Sequence, residues 1–124
     1  MDTIFALSTA PGKAGVAVVR ISGPSAHHAV EMLCGDIPPR RLASLRVIKD
    51  LRGHRLDQGL VLTFAEGQSF TGEQSAEFHV HGSRAGTNAL LETLAGLNDF
   101  RLAGEGEFTR RALENNRLDL TQIE

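Results

Sequence analysis

Tryptophan and tyrosine are absent from the chain, and cysteine occurs once, at Cys34. A lone thiol excludes an internal disulfide and a zinc cage built of thiolates; in a helical segment it reads as a buried, inert group. Six phenylalanines are the only aromatic residues, few platforms for stacking single-stranded nucleic acid. An excess of one charge is lacking too: 13 basic residues stand against 15 acidic, a net charge of −2. That balance argues against holding nucleic acid chiefly by phosphate neutralisation. The six cations between Arg40 and Arg55 read as a solvated hairpin. No apolar run approaches the roughly 20 residues of a membrane helix. No basic segment followed by an apolar one marks a secretory signal, so a cytoplasmic protein without membrane attachment is expected. The phosphate-loop pattern G-x-x-x-x-G-K-S/T is missing: Gly12-Lys13-Ala14 lacks both the spacing and the hydroxyl residue. GTP binding or hydrolysis by this segment is therefore not expected, and no nucleophile–base pair is visible.

What is present is ordinary globular material, 124 residues with 41% apolar and 23% charged side chains, enough for one domain with its own core. Residues 2–8 and the β-branched run Val16 to Ser22 read as strands, separated by the turn-rich loop 9–15. Gly23-Pro24-Ser25 opens a helix whose inward stripe is Ala26, Ala29, Val30 and Leu33; Gly35 and Pro38-Pro39 end it. A strand over 42–49, with Ala43, Leu45 and Val47 facing in, turns around Gly53 into a second strand over 60–64. Residues 65–74 form an irregular loop. Ser75 to His81 alternates, with Ala76, Phe78 and Val80 on one face and Glu77, His79 and His81 on the other. A helix over 84–97, a short strand over 99–103 and a short helix over 107–115 follow. Asp119-Leu120-Thr121-Gln122 has the form of a helix start, and a helix of little more than one turn is unstable alone, so the natural protein is expected to continue past Glu124. This order predicts an α+β fold, helices packed on a mixed β-sheet.

Taken by themselves, the candidate polar residues have plain readings. Glu77 is a solvated acid on the polar face of a strand. Arg20 is a strand-end arginine reaching water, and Arg117 is a charge flanking a helix. His27-His28, adjacent on a helix, read as surface. His79 and His81 share the face of Glu77, but a strand spacing alone supplies no third metal ligand; no metal site is expected. His81-Gly82 reads as shaping the start of the next helix. Glu73, in the loop Phe70-Thr71-Gly72-Glu73, is suited to holding that loop through backbone N–H groups or an arginine. Glu107 and Arg111, four apart, are placed for an ion pair within one helix.

Four blocks change the weight of these readings: DTIFALSTAPGKAGVAVVRISGP (2–24), DQGLVLTF (57–64), SFTGEQSAEFHVHGS (69–83) and GEFTRRALENNRLDLTQIE (106–124). Together, in this order, they resemble the N-terminal domain of the MnmE/TrmE family of tRNA modification GTPases. Departures are local: Glu105 stands where the family usually has proline, Gly67-Gln68 where it often has Pro-Asn, and Asn115-Asn116 where glycine is frequent.

The resemblance implies a domain over 1–118 that binds a one-carbon tetrahydrofolate (5-formyl- or 5,10-methylene-) and forms a homodimer, with 119–124 opening a helical domain. It implies a fold similar to the folate-binding part of glycine-cleavage aminomethyltransferase. It further implies that the whole protein works with the FAD-containing MnmG on carbon 5 of the wobble uridine of tRNA. GTP, magnesium and potassium would be handled in a separate G domain. Residue by residue, it assigns folate contacts to Arg20, Glu77 and Arg117. A pterin presents adjacent N–H donors that a carboxylate such as Glu77 accepts as a pair. A stand-alone aminomethyltransferase-type folate protein and a dimerisation scaffold without ligand are the competing readings.

Overall fold

A computed structural model describes residues 2–8, 15–81 and 83–115 of the chain. It is a mixed α+β fold. Strands β1 (Thr3–Leu7) and β2 (Val16–Ser22) are followed by helix α1 (Ala26–Cys34), then β3 (Ser44–Lys49), β4 (Arg55–Phe64) and β5 (Ser75–His81). Helix α2 (Arg84–Ala95), β6 (Phe100–Leu102) and helix α3 (Glu107–Glu114) complete it. The six strands form one sheet in the order β3-β4-β5-β2-β1-β6. All neighbours are antiparallel except β1 and β6, which run parallel.

The sheet is two-faced because its central strands alternate. Val19, Phe78 and Val61 lie side by side across β2, β5 and β4, as do Ile21, Ala76 and Thr63, and their side chains are fully or almost fully buried. Ala26, Ala29, Val30 and Leu33 of α1 and Leu90 and Leu94 of α2 pack into the same core, so both helices cover one face. The α1 stripe matches its sequence spacing. Cys34, at the end of α1, has its thiol pushed up to about 12, chiefly by burial, and is inert as a nucleophile.

The structure corrects three expectations. In β3 the inward residues are Ser44 and Ile48, while Ala43 is exposed and Leu45 is 58% exposed. Arg46 shares the inward parity, and its guanidinium reaches Asp36, just beyond α1, through two bonds of 2.9 Å. That ion pair makes room for a charge on the helix side of an edge strand and leaves the apolar Leu45 outside. His27 is also not a surface residue. It is 5% exposed, and its Nε2–H donates to the Phe64 carbonyl at 3.0 Å. Burial lowers its pKa, so the ring is held neutral. His28 remains exposed. The strand after the hairpin begins earlier than its apolar run, at Arg55. The hairpin turn is closed by Asp50, whose Oδ1 accepts from the backbone N–H groups of Arg52 and His54, both at 2.9 Å.

Candidate functional site

The face opposite α1 and α2 carries the polar positions of β2 and β5. Their register sets Arg20 directly across from Glu77. The Arg20 Nε–H donates to Glu77 Oε2 at 3.1 Å, and His79, two residues along the same strand, bonds Oε1 through Nε2 at 2.9 Å. Both carboxylate oxygens are thereby oriented, and each keeps an acceptor lone pair. Glu77 is only 20% exposed, whereas Arg20 is half exposed.

Above this pair lies a hollow of ≈ 200 Å³. It is lined by β2 and β5 with Arg20 and Glu77, by Phe64 at the end of β4, by the hydroxyl residues Ser69, Thr71 and Ser75, and by two aromatic walls, Phe70 and Phe108. Loop 65–74 supplies one wall. It is tied by the Gly67 N–H to the Gly72 carbonyl at 2.9 Å, and Gly72 has φ 82, the left-handed turn that suits a residue without Cβ. Below it, Ser22 Oγ lies 2.6 Å from Thr71 Oγ1 and donates to Glu73 Oε1 at 2.8 Å. Helix α3 supplies the other wall with Phe108.

The start of α3 is fixed by Glu107, which is 3% exposed. It accepts from the Gly104 backbone N–H and from Arg101 Nη1, both at 2.8 Å. The expected Glu107–Arg111 pair is present at 3.4 Å, inside a larger network: Asp2 pairs with both Arg101 and Arg111, and Arg111 pairs with Glu73. The Arg101 guanidinium, opposed only in part by burial, holds the Glu107 carboxyl down at about 2. A carboxylate depressed in the folded state stabilises the fold above its ordinary pKa of 4.5, and that contribution is lost as pH falls towards 2. Stability should therefore drop by about 2–3 kcal/mol between pH 4.5 and 2. Glu107→Gln should flatten that part of the profile in urea titrations, and an unchanged acid limb would refute the assignment.

Of the residues expected to contact a ligand, Arg20 and Glu77 are brought together; Arg117 lies outside the described residues, as do Gly82 and the boundary near 118. His81 stands at the far end of β5, where its backbone N–H and Nδ1 bond the Asp57 carboxylate, both at 2.8 Å. That bond fixes the chain just before α2. Residue types alone do not mark Phe64 and Phe108 as lining residues, nor Ser22 and Asp2 as supports. Their roles come from loop and helix placement, and the nearest clue is the density of hydroxyls around 69–75. Among the described residues, no helix is long and apolar enough to cross a membrane.

Residues 3–117 match the protein family described as GTP-binding protein TrmE N-terminus. The chain is similar to proteins named tRNA modification GTPase MnmE. That of Ruegeria pomeroyi is 59% identical over 124 residues, all of this chain and 29% of that protein. That of Phenylobacterium zucineum is 59% identical over 123 residues, 99% of this chain and 27% of that protein. That of Rhizobium meliloti is 50% identical over 123 residues, 99% of this chain and 28% of that protein. The chain thus spans less than a third of the length of these relatives. A match running almost from end to end establishes that the chain belongs to the TrmE N-terminal family.

Proposed function

We propose that this domain binds a one-carbon tetrahydrofolate and pairs with a second copy of itself, serving a tRNA modification GTPase that acts on the wobble uridine together with MnmG. In this reading GTP hydrolysis, with its magnesium and potassium, belongs to a G domain outside the chain. The domain proper ends near residue 118, and 119–124 opens a helical domain. The fold is taken to be akin to the folate-binding part of glycine-cleavage aminomethyltransferase.

The observation that carries the reading is a carboxylate oriented by Arg20 and His79 at the base of an aromatic-walled hollow. The two free lone pairs of Glu77 suit the paired N–H donors of a pterin, and Phe70 and Phe108 offer faces for its flat bicycle. Pockets for drug-sized ligands enclose about 300–1,000 Å³. The present hollow of ≈ 200 Å³ fits the pterin head and leaves the aminobenzoyl-glutamate tail outside. Arg117 is kept as a third folate contact on the strength of the family resemblance. The folate supplies the carbon unit; the residues of this chain bind it, orient it and limit its access to water.

A second copy would supply the missing enclosure. Leu45 and Leu60 face each other across β3 and β4 on the face of the hollow, 58% and 42% exposed, an apolar pair that a partner would bury. Leu60→Glu is expected to shift the protein to monomer in sedimentation equilibrium at micromolar concentration and to weaken folate binding several-fold by mass action. An intact dimer would place the interface elsewhere. The decisive experiment on the whole reading is calorimetric titration with 5-formyltetrahydrofolate. Saturable heat at one site per chain is expected, and its absence from a normally dimeric protein would leave a scaffold without ligand.

A further inference from the structure

We infer that Arg111 is a positioning residue of the folate hollow, setting the distance between its two aromatic walls. The inference rests on the folate reading for the identity of the ligand, and on geometry alone for the coupling of the walls. The two walls belong to separate pieces of chain. Phe70 sits in loop 65–74 and is 52% exposed, so burial does not hold it. Phe108 sits in the first turn of α3. Neither piece is part of the sheet.

One guanidinium joins them. Arg111 lies three residues after Phe108 on α3 and is 7% exposed. Its Nη1 donates to Glu73 Oε1 and Oε2 at 3.1 and 3.2 Å and to the Asp2 carbonyl at 3.2 Å. Its Nη2 donates to Asp2 Oδ1 at 2.6 Å and to Glu107 Oε2 at 3.4 Å. Glu73 is near the end of the Phe70 loop, and through Ser22 it is also bound to β2. Asn115 adds a second tie, its Nδ2–H donating to the Thr71 carbonyl at 3.0 Å. The planar fork of an arginine fixes both distance and angle among several oxygens, which a lysine ammonium on a flexible stem does not. The walls of the hollow are thus braced from behind, away from the ligand.

The test exploits the absence of tryptophan. Phe70→Trp places a single indole on the wall, and Arg111→Lys is then introduced into that chain. Arg101→Lys is the matched control, since Arg101 shares Asp2 and Glu107 with Arg111 but is not bonded to Glu73. Without ligand, Arg111→Lys is expected to raise acrylamide quenching of the introduced indole at least twofold, and Arg101→Lys to leave it unchanged. In chains that keep Phe70, Arg111→Lys should weaken 5-formyltetrahydrofolate binding tenfold or more, and Arg101→Lys, which disturbs the start of α3 but not the tie to Glu73, by a clearly smaller factor. Should Arg111→Lys not fold, Glu73→Gln cuts the same tie at its loop end and carries the same expectations. A lowered melting temperature with quenching and affinity both at parental values would reduce Arg111 to a stability residue and overturn the inference. If the parent chain binds no folate, the proposed function fails, and the quenching comparison still decides whether Arg111 couples the walls.

Discussion

Glu77→Ala is expected to weaken binding of 5-formyltetrahydrofolate by at least about 100-fold, roughly 3 kcal/mol, the scale of a paired, charge-assisted hydrogen bond lost from a partly desolvated site. The fold should tolerate the change. Arg20, released from its partner, is already half exposed and can be solvated, so the cost in stability is that of a near-surface ion pair, under about 1 kcal/mol. The substitution therefore separates function from folding: calorimetry should lose its saturable signal while the melting curve stays in place. Glu77→Gln sharpens the result. It keeps the shape but replaces one acceptor with a donor, so it should bind nearly as poorly as alanine. Near-parental affinity in either variant would remove Glu77 from the site.

Gly59→Ala is expected to be among the most damaging single-methyl additions in the chain. A Cβ at Gly59 would run into the backbone carbonyl oxygen of His79 and lie 3.2 Å from its carbon. Backbone in the middle of a sheet cannot yield as a side-chain tip can, so β4 and β5 would have to part. Overpacking of this kind costs about 3 kcal/mol, or roughly 10 °C in melting temperature for a domain of this size. The damage should also reach the candidate site, because His79 orients Glu77. Thermal unfolding followed by circular dichroism checks the first point. A variant melting within about 2 °C of the parent would show that the strands have slack at this position.

The alternation of β5 is legible from residue types, since a period of two assigns Glu77 and His79 to one face wherever Phe78 is buried. The α1 stripe is legible for the same kind of reason. What composition does not encode is register. Nothing local states that Arg20 stands opposite Glu77, 57 residues away. The parity of β3 defeats a reading by hydrophobicity because its apolar residues favour one side while the Arg46–Asp36 pair decides for the other. The burial of His27 is hidden for a related reason: its hydrogen-bond partner, the Phe64 carbonyl, is 37 residues distant. Phe108 and the Arg111–Glu73 tie follow from where α3 comes to rest, and the resemblance to a family points to the segment without giving that placement.

The first strand has a bearing on how the chain is made. Thr3 to Phe5 find their parallel partners at Phe100 to Leu102, and the Asp2 carboxylate is paired by Arg101 and Arg111. A strand synthesised early therefore waits for residues 97 positions further on, as from Thr3 to Phe100, before that edge of the sheet can close. Contacts so distant along the sequence slow folding. Until synthesis passes residue 102 the nascent domain has an unpaired edge along β1, the stage at which a chaperone would have most to protect.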